Sequence, residues 1–527
     1  MKNNIKYLAI LALGLVACEP EFDNPIDEAG VYSSGEADFS NYVALGNSLT
    51  AGFADSALYI TGQENSYPNI LSQQFALVGG GEFTQPLMAD NTGGALLGGT
   101  QILSNRFVLA FDAEGNPGPA IYAGASPTTE ISNNLGSFFN NMGVPGAKSF
   151  HLGAPNYGDV AGVAVGTANP YFARFASSAG TSVIADAAAQ NPTFFSLWIG
   201  NNDILSYATS GGVGVDRTGN PNLADYGSND ITDPGLFNST YQALIGALTA
   251  NGAKGVVLNL PNVSTLPFFT TVPFAPLSPL DPNFGPQIPT LNATYAGLNA
   301  AFAFAGVPER AISFSASAAS PVVIKDESLE DVSADLAIAL AGTFGPLAPI
   351  VAAQYGQARQ ATANDLLVLT SSGVIGQVNE ARLAELISFG LTPEQAGQFS
   401  VNGVSYPMED QYVLTPAEQS SVENARQAFN TSIATIASEN GLAFYNVAND
   451  LAQAANGGIL FDGGVITSDF VTGGGFSLDG IHPTPRAHAL VTNGILNAIE
   501  IAYGATLPSV NPGDYGTVTL SNEVGAN

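Results

Sequence analysis

Short apolar runs recur along the chain at wide intervals, and each is long enough for a strand but too short for a helix. The runs span residues 42–45, 194–199, 256–258 and 442–447. Gly46 and Gly200 end the first two runs, and Pro261 follows the third. An uninterrupted apolar run is typical of a strand that is buried on both faces of a parallel sheet. The pattern therefore predicts four strands of such a sheet.

Two helices are marked by the residues at their ends. Residues 415–418 are Thr-Pro-Ala-Glu, a capping box with proline at the first helical position, and Gly441 is placed to end the helix. Its apolar positions share one face: Val422, Ala425, Phe429, Ile433 and Ile436. Thr484 and Pro485 begin a second helix that ends near Gly504. Strands that alternate with helices predict an α/β fold built of βα units.

Two long stretches interrupt this alternation. Residues about 80–135 are rich in glycine and predict an irregular insertion. Residues 262–409 begin rich in proline and then show apolar helical faces at Leu329, Val332, Leu336 and Leu340, and at Leu383, Leu386 and Ile387. A loop of this length without structure is uncommon in a compact domain. We therefore predict an inserted cap or subdomain at 262–409, between core segments at 41–261 and 410–505, with a C-terminal tail at 506–527.

Composition narrows the range of functions. Hydrophobic residues make up 46% of the 527 residues, which is ample for a buried core. Acidic residues outnumber basic ones by 44 to 13, for a net charge of −31. A surface of this charge repels phosphate backbones, so general nucleic-acid binding is excluded. Three histidines and one cysteine exclude a cysteine-rich zinc scaffold and any disulfide within the chain.

The N-terminus resembles that of an exported bacterial lipoprotein. Lys2 and Lys6 precede an apolar run at 7–17 that is too short to span a bilayer. The run ends in Leu-Val-Ala followed by Cys18, which resembles a lipobox. Residues 1–17 are then a signal peptide, Cys18 carries a lipid that anchors the protein, and 18–40 form a flexible tether. Acidic residues after Cys18 favour the outer membrane, on either its periplasmic or its cell-surface face, and a plain signal peptide is the alternative.

Ser48 is the first candidate for chemistry. It lies in Gly-Asn-Ser-Leu at 46–49, directly after the first predicted strand, where a parallel sheet opens to solvent. A serine there acts as a nucleophile or simply caps the next helix. A serine nucleophile needs a base, and Asp479-Gly-Ile-His482 offers an imidazole with a carboxylate three residues before it. The alternative for this segment is an Asp-Gly turn with an idle histidine.

Two further loops offer hydrogen-bond donors for an oxyanion. Gly-Asn-Asn-Asp at 200–203 follows the second predicted strand, and the Asn202 amide can point at a developing negative charge. Residues 141–146 end in Gly146, whose backbone N–H can do the same, and Gly143 is the alternative. Loops rich in asparagine and glycine are otherwise ordinary turns.

Along the chain, the four segments carry Ser48, Gly146, Asn202 and the Asp479–His482 pair in that order. Together they resemble the SGNH (GDSL) hydrolase family. The first block carries Asn47 in place of the usual aspartate, at a position outside the family's charge relay. The resemblance implies a flavodoxin-like α/β/α sandwich with a five-stranded parallel sheet, to which the large, mostly helical insertion predicted at 262–409 is added. It also implies that Ser48 is the nucleophile of a triad with Asp479 and His482. Ser48, Gly146 and Asn202 would form the oxyanion hole.

The resemblance implies a serine esterase or lipase that cleaves carboxylic esters through an acyl-enzyme, with no metal or organic cofactor. The insertions exceed the family core, so the substrate stays open between a small-molecule ester, a lipid ester and an acylated glycan. Alternatives are an acyltransferase or deacetylase acting on surface glycans, and an inactive surface binding lipoprotein. Pro267, Phe268, Phe269 and Phe274 either line an apolar acyl slot or pack an irregular loop.

The remaining candidates receive plainer interpretations. We expect His151 to be packed or hydrogen-bonded, and His488 to be solvated or to cap a helix. The acidic excess permits Ca²⁺ sites, for example among Asp216, Asp225, Asp230 and Asp233, but no recognisable Ca²⁺ loop is present. No serine has glycine both two residues before and two after it, which excludes the α/β-hydrolase nucleophile elbow.

Overall fold

A five-stranded parallel sheet lies at the centre of the structure, a computed structural model that describes residues 31–112, 115–136 and 138–524. The strands, numbered along the chain, are β1 (Tyr42–Gly46), β2 (Ala95–Leu97), β3 (Thr100–Leu103), β4 (Phe107–Phe111), β5 (Pro117–Ile121), β6 (Asn141–Gly143), β7 (Phe194–Trp198), β8 (Lys254–Leu258), β9 (Val323–Lys325), β10 (Ala358–Gln360), β11 (Leu366–Leu367), β12 (Val413–Leu414), β13 (Ala443–Tyr445), β14 (Ile459–Phe461) and β15 (Gly464–Ile466). The sheet order is β13-β8-β7-β1-β6, and every pair is parallel.

Helices connect the strands of this sheet. They are α1 (Ser48–Ala51), α2 (Ile60–Glu64), α3 (Tyr67–Ala76), α4 (Val160–Val163), α5 (Pro170–Ala173), α6 (Val183–Ala189), α7 (Asn202–Thr209), α8 (Pro234–Thr249), α9 (Pro267–Thr270), α10 (Ile288–Phe304), α11 (Ser333–Phe344), α12 (Ala348–Tyr355), α13 (Glu380–Ser388), α14 (Pro393–Gln398), α15 (Pro416–Glu439), α16 (Val447–Ala455) and α17 (Pro485–Tyr503). The α/β class predicted from the sequence is therefore confirmed.

The four apolar runs form four of the five central strands, as predicted. The fifth strand, β6, was missed because it has only three residues, Asn-Met-Gly, and carries no apolar run. It pairs with β1 at the edge of the sheet, with Ala44 opposite Asn141 and Gly46 opposite Gly143.

Apolar helices cover both faces of the sheet because strand side chains alternate between them. Val43 and Leu45 point into one buried cluster, which also contains the apolar faces of α8 and α15. Tyr42 and Ala44 point into the opposite cluster, together with α3 and α17. The arrangement is compatible with a three-layer α/β sandwich.

The two helices predicted from their end residues are both present. Glu418 Oε2 accepts hydrogen bonds from Thr415 N at 2.7 Å and Thr415 Oγ1 at 2.8 Å, which is the predicted capping box at the start of α15. Gly504 ends α17 in the left-handed conformation at φ +65°, and its N–H donates to Glu500 O at 2.9 Å.

The first insertion is more regular than its glycine content suggested. Two antiparallel ribbons, β2 with β3 and β4 with β5, occupy the stretch that we expected to be irregular. Glycines there serve tight turns: Gly98 and Gly99 between β2 and β3 both have positive φ angles. The strands are only three to five residues long. One of them, β4, is an unbroken apolar run that we overlooked in the sequence because the surrounding stretch is rich in glycine.

The second insertion has a hydrophobic cluster of its own. Buried residues from Val272 to Val413 form it, including Phe302, Leu336 and Tyr355. The segment contains the six helices α9 to α14 and the antiparallel pair β9 with β10, and its strand β11 pairs with β12 just beyond its end. Leu329 and Val332, which we placed on a helical face, precede α11 instead, whereas Leu336 and Leu340 are buried on it.

One helical stretch within this insertion, Ser333–Tyr355, is long and apolar enough by length and composition to cross a membrane. It comprises α11 and α12, which are separated by Gly345 at φ +50°. Length and composition alone are weak grounds for a membrane span, because the core helix of a soluble protein passes the same test. Its side chains Leu336 and Leu340 belong to the second buried cluster, so one face of the stretch packs within the insertion.

Residues 33–40, which we expected to belong to a flexible tether at 18–40, contact the folded core. Ser33 N donates to Thr506 O at 2.9 Å, and the buried ring of Phe39 stacks on Phe75 with centroids 4.0 Å apart. Residues 33–40 therefore pack on the core, because the Phe39 ring is buried in the cluster on one face of the sheet. The signal peptide and Cys18 lie outside the described residues. The C-terminal segment also packs, since Leu520 pairs with Leu109.

The second cluster makes a stability prediction. Leu336 is 0% exposed, whereas Ile338 on the same helix is 67% exposed. We expect Leu336→Ala to lower the free energy of unfolding by about 2–5 kcal/mol, because it leaves a cavity. The matched control Ile338→Ala should change it by less than about 0.5 kcal/mol. Urea denaturation measures both, and equal effects would contradict a packed core in this insertion.

Candidate active site

Ser48 lies at the carboxyl end of β1, at the start of α1. Asn47 caps this short helix, since its Oδ1 accepts the Leu49 N–H at 3.0 Å. The cap is therefore Asn47 and not Ser48, which leaves the Ser48 hydroxyl available. Gly46 is required here, because a Cβ atom would lie 2.1 Å from Thr50 Oγ1 and 2.5 Å from Trp198 O.

The three residues proposed for the triad meet in space. His482 Nε2 lies 2.9 Å from Ser48 Oγ, and His482 Nδ1 lies 2.8 Å from Asp479 Oδ2. The ring of Phe53 packs against the imidazole at a centroid distance of 4.8 Å. The imidazole thus has a fixed orientation, with one nitrogen on the carboxylate and the other on the hydroxyl, which is the arrangement that activates a serine.

The buried carboxylate of Asp479 is held by a dense set of donors. Oδ1 accepts from the backbone N–H groups of Ile481 and His482, both at 2.9 Å, and from Ser477 Oγ at 3.0 Å. Oδ2 accepts the Ser56 N–H at 2.9 Å in addition to the imidazole. Burial alone would raise the pKa of Asp479, but the neighbouring His482 and these hydrogen bonds lower it to about 2. The group is therefore ionised at neutral pH.

Two of the candidate oxyanion donors, Gly146 and Asn202, lie on loops that are joined by a hydrogen bond. Asn202 begins α7, and its Nδ2 donates one hydrogen bond to Ala147 O at 3.0 Å, which leaves its second amide hydrogen available. Gly146 directly precedes Ala147 and has φ +80°. Among the described residues, neither the Gly146 N–H nor the Ser48 N–H donates a hydrogen bond.

Gly143, the alternative to Gly146, has a different role. Its N–H already donates to Asn141 Oδ1 at 3.0 Å. A Cβ atom at this position would lie 2.3 Å from Ala51 N, so the glycine lets β6 approach α1 closely. Gly143 therefore helps to seat the helix that carries Ser48, and its N–H is not free for an oxyanion.

A second set of residues at the site was missed in the sequence. Asp55 N donates to Ser477 Oγ at 2.9 Å, and Asp55 Oδ1 accepts the Leu478 N–H at 2.9 Å. Asp55 and Ser56 both adopt positive φ angles, 52° and 63°. This uncommon backbone aims the Ser56 N–H at Asp479. No local spacing signals the contact, because the partners are more than 400 residues apart.

Arg106 from the first insertion neutralises Asp55. Its Nη2 lies 2.6 Å from Asp55 Oδ2, and its guanidinium lies 3.6 Å from the centre of the Tyr59 ring. Tyr59 also donates its hydroxyl to Asp55 Oδ2 at 2.8 Å. Burial raises the pKa of Asp55, and the Arg106 charge opposes that shift. The insertion thus reaches the loop that holds Asp479.

The other two histidines lie outside the triad. His151 accepts the Lys148 N–H on Nδ1 at 3.1 Å and stacks on Tyr157, as expected for a packed residue, and burial lowers its pKa to about 4. The expectation of a solvated His488 is wrong, because α17 packs it against α3. Its Nδ1 accepts the Tyr67 N–H at 3.3 Å, so it caps α3 rather than its own helix.

The aspartates considered for Ca²⁺ have protein partners instead. Asp230 binds Arg217 at 2.6 Å, and Asp233 caps α8 through the Leu236 N–H. Asp216 accepts from Thr218, and Asp225 accepts from Asn220 and Asn222.

Glu327, Asp410 and Glu418 bring carboxylate oxygens within 4.8 Å of one another, and burial together with this crowding raises the pKa of Asp410 to about 7.

Of the two alternatives for Pro267, Phe268, Phe269 and Phe274, packing is the one that the structure shows. Pro267, Phe268 and Phe269 are buried in the core, and Phe274 packs against the second cluster, so all four are packing residues. A cavity of about 110 Å³ instead lies beside Ser48 and His482, with Asn202 in its wall. Its apolar wall comes largely from other segments, among them α16 and α17.

Comparison of the chain with protein-family models, with curated proteins and with solved structures gives no match. Interpretation of the site accordingly rests on its own residues and geometry.

The Asp55–Arg106 pair leads to a stability prediction. We expect Arg106→Met to lower the free energy of unfolding by about 3–5 kcal/mol, because it leaves a buried carboxylate without its counter-charge. The double variant Asp55→Asn with Arg106→Met should recover part of that loss, since the amide keeps an acceptor for Leu478 N–H. Denaturant unfolding of the two variants measures the recovery. A double variant no more stable than Arg106→Met would show that the charge pair is not the cause.

His488 makes the stability depend on pH. Burial, with a contribution from His482, lowers its pKa from 6.5 to about 3. The unfolded chain takes up this proton below pH 6.5 but the folded chain does not, so stability is lost as pH falls from 6.5 towards 3. At pH 5 the loss from this one group is about 2 kcal/mol.

His488→Asn keeps an acceptor for the Tyr67 N–H but cannot titrate. We expect its free energy of unfolding to fall by about 2 kcal/mol less than that of the wild type between pH 7 and pH 5. Denaturant unfolding at the two pH values measures the difference. Equal losses of unfolding free energy in the wild type and in His488→Asn would contradict a neutral, buried His488.

Proposed function

We propose that the protein is a serine hydrolase of carboxylic esters, of the SGNH (GDSL) type. The observation that carries the proposal is the continuous pair of hydrogen bonds from Asp479 through His482 to Ser48 Oγ. Three residues from the two ends of the chain meet in the arrangement that nucleophilic acyl transfer requires.

The strand order supports the same assignment. Read by position along the chain, the sheet runs 2-1-3-4-5, from β6 through β1, β7 and β8 to β13. This is the flavodoxin-like doubly wound order, in which functional groups gather at the carboxyl ends of the strands next to the point where the order reverses. Ser48 follows β1, which is the strand at that point.

In the proposed reaction, Ser48 Oγ attacks the ester carbonyl while His482 Nε2 takes its proton. Asp479 orients the imidazole and stabilises its cation. The tetrahedral intermediate collapses as His482 gives the proton to the departing alcohol, which leaves the acyl group on Ser48. Water then attacks this acyl-enzyme, and His482 takes a proton from the water. His482 returns the proton to Ser48 Oγ as the carboxylic acid leaves.

The oxyanion of the intermediate would accept hydrogen bonds from the Ser48 N–H, the Gly146 N–H and the free amide hydrogen of Asn202. Ala147 O holds the Asn202 amide in place through its other hydrogen, so this donor is oriented before substrate binds. Losing one such donor typically lowers kcat by about 10²–10³.

We further propose that Cys18 anchors the protein to a membrane. The chain joins the folded body where Ser33 pairs with Thr506, just beyond the last residue of α17. Helix α17 has 19 residues and begins three residues after His482. At 1.5 Å per residue, the attachment point lies roughly 28 Å from the triad along the helix. Ser33, through which the chain leads back towards Cys18, is then at the end of α17 away from the site.

Fluorophosphonate labelling tests the proposed function. Ser48→Ala should abolish labelling and hydrolysis of p-nitrophenyl acetate, because both need the Ser48 oxygen. Ser56→Ala is the matched control, since Ser56 is exposed and contacts Asp479 through its backbone N–H rather than its hydroxyl. This control should label like the wild type. Persistent labelling of Ser48→Ala would refute the assignment.

A further inference from the structure

The cavity beside the triad is built almost entirely from apolar side chains. Its wall includes Trp198, Leu205, Leu451, Ala454, Ile466 and Leu490. Its polar side chains, apart from Ser48 and His482, are Asn201, Asn202 and Asp450. Such a wall favours a hydrocarbon ligand, because transfer of alkyl surface from water into it is favourable.

Several of the few polar groups in the wall already have a partner within the protein. Asn201 Oδ1 accepts from Asn47 Nδ2 at 3.3 Å, and Asp450 accepts from the Tyr445 hydroxyl. Trp198 Nε1 donates to Asn259 O at 3.2 Å. The wall offers few polar atoms for the hydroxyl groups of a buried sugar, and each hydroxyl left without a partner costs about 1–3 kcal/mol. The cavity therefore selects against a glycan and for an alkyl chain.

The covalent chemistry indicates which half of an ester occupies the cavity. The acyl group stays bonded to Ser48 Oγ until water releases it, whereas the alcohol must leave before that water can enter. A buried pocket that borders Ser48 suits the half that remains. The alcohol half suits the side that opens to solvent.

We propose that this cavity binds the first few methylenes of the substrate's acyl chain, and that the enzyme prefers esters of medium-chain fatty acids over acetyl esters. The proposal rests on the proposed ester hydrolysis and adds the substrate class to it. The segment between β13 and the Asp479 loop supplies much of the wall, through α16 and the β14–β15 ribbon. Chain-length preference is therefore set by residues that take no part in the chemistry.

Rates on p-nitrophenyl acetate, butyrate, octanoate and decanoate test the preference. Each methylene buried in such a cavity is worth roughly a factor of four in binding. We expect kcat/KM for octanoate to exceed that for acetate at least tenfold. Ethyl and octyl acetate provide the complementary series, in which only the alcohol lengthens, and their kcat/KM values should differ much less.

A pair of variants on α16 tests the location of the cavity. Ala454 is buried in its wall, whereas Ala455, the next residue, is exposed. Ala454→Trp should fill the cavity and lower the octanoate-to-acetate ratio of kcat/KM at least tenfold. Ala455→Trp should leave that ratio and the rate on acetate unchanged. Labelling of Ser48 by a small fluorophosphonate confirms that each variant is folded.

The outcomes separate the two proposals. Absence of Ser48-dependent hydrolysis of every ester would overturn the proposed function. Ser48-dependent hydrolysis that is faster on acetate than on octanoate would overturn the acyl cavity alone. Equal effects of the two tryptophan variants, or a gain with octyl acetate as large as that with octanoate, would also overturn it. If Ala454→Trp does not fold, the acyl-length and alcohol-length series measured on the wild type still test the acyl cavity.

Discussion

The geometry of the site depends on how the buried Asp479 carboxylate is satisfied. At 8% exposure it has lost most of its hydration, and an isolated charge would be costly there. Four donors other than the imidazole take the place of water, three from its own turn and one from Ser56. They fix the carboxylate so that Oδ2 meets His482 Nδ1, which directs the opposite nitrogen to Ser48. The same hydrogen bonds keep Asp479 ionised.

Parallel pairing explains why the remaining groups converge. Strands β6, β1 and β7 are neighbours, and their carboxyl ends lie at one edge of the sheet. Gly146, Ser48 and Asn202 each follow one of these strands within a few residues. His482 lies 434 residues from Ser48 along the chain, and α17, which begins beside it, packs on a face of the same sheet. The sheet is thus the frame that turns distant loops into one site.

The segments added to this frame contribute to the site in different ways. Arg106 of the first insertion forms an ion pair with Asp55, which supports the loop whose Ser56 N–H donates to Asp479. The second insertion has its own buried cluster and touches the site region where Phe268 N donates to Gly480 O at 3.0 Å. The segment after β13 forms much of the apolar wall beside Ser48. In the proposed function, support of the triad and recognition of the acyl chain would therefore come from different parts of the chain.

Local patterns in the sequence determined four of the five central strands, the two capped helices and the segments that carry Ser48, Asn202 and the Asp479–His482 pair. These features depend on residues close together in the chain, such as Thr415 with Glu418 or a run of buried apolar side chains. Only the tertiary structure decided the roles of Asp55, Arg106 and Gly143, the burial of His488 and the position of the cavity. Each of these depends on contacts between segments far apart in the chain, and short-range spacing carries no record of such contacts.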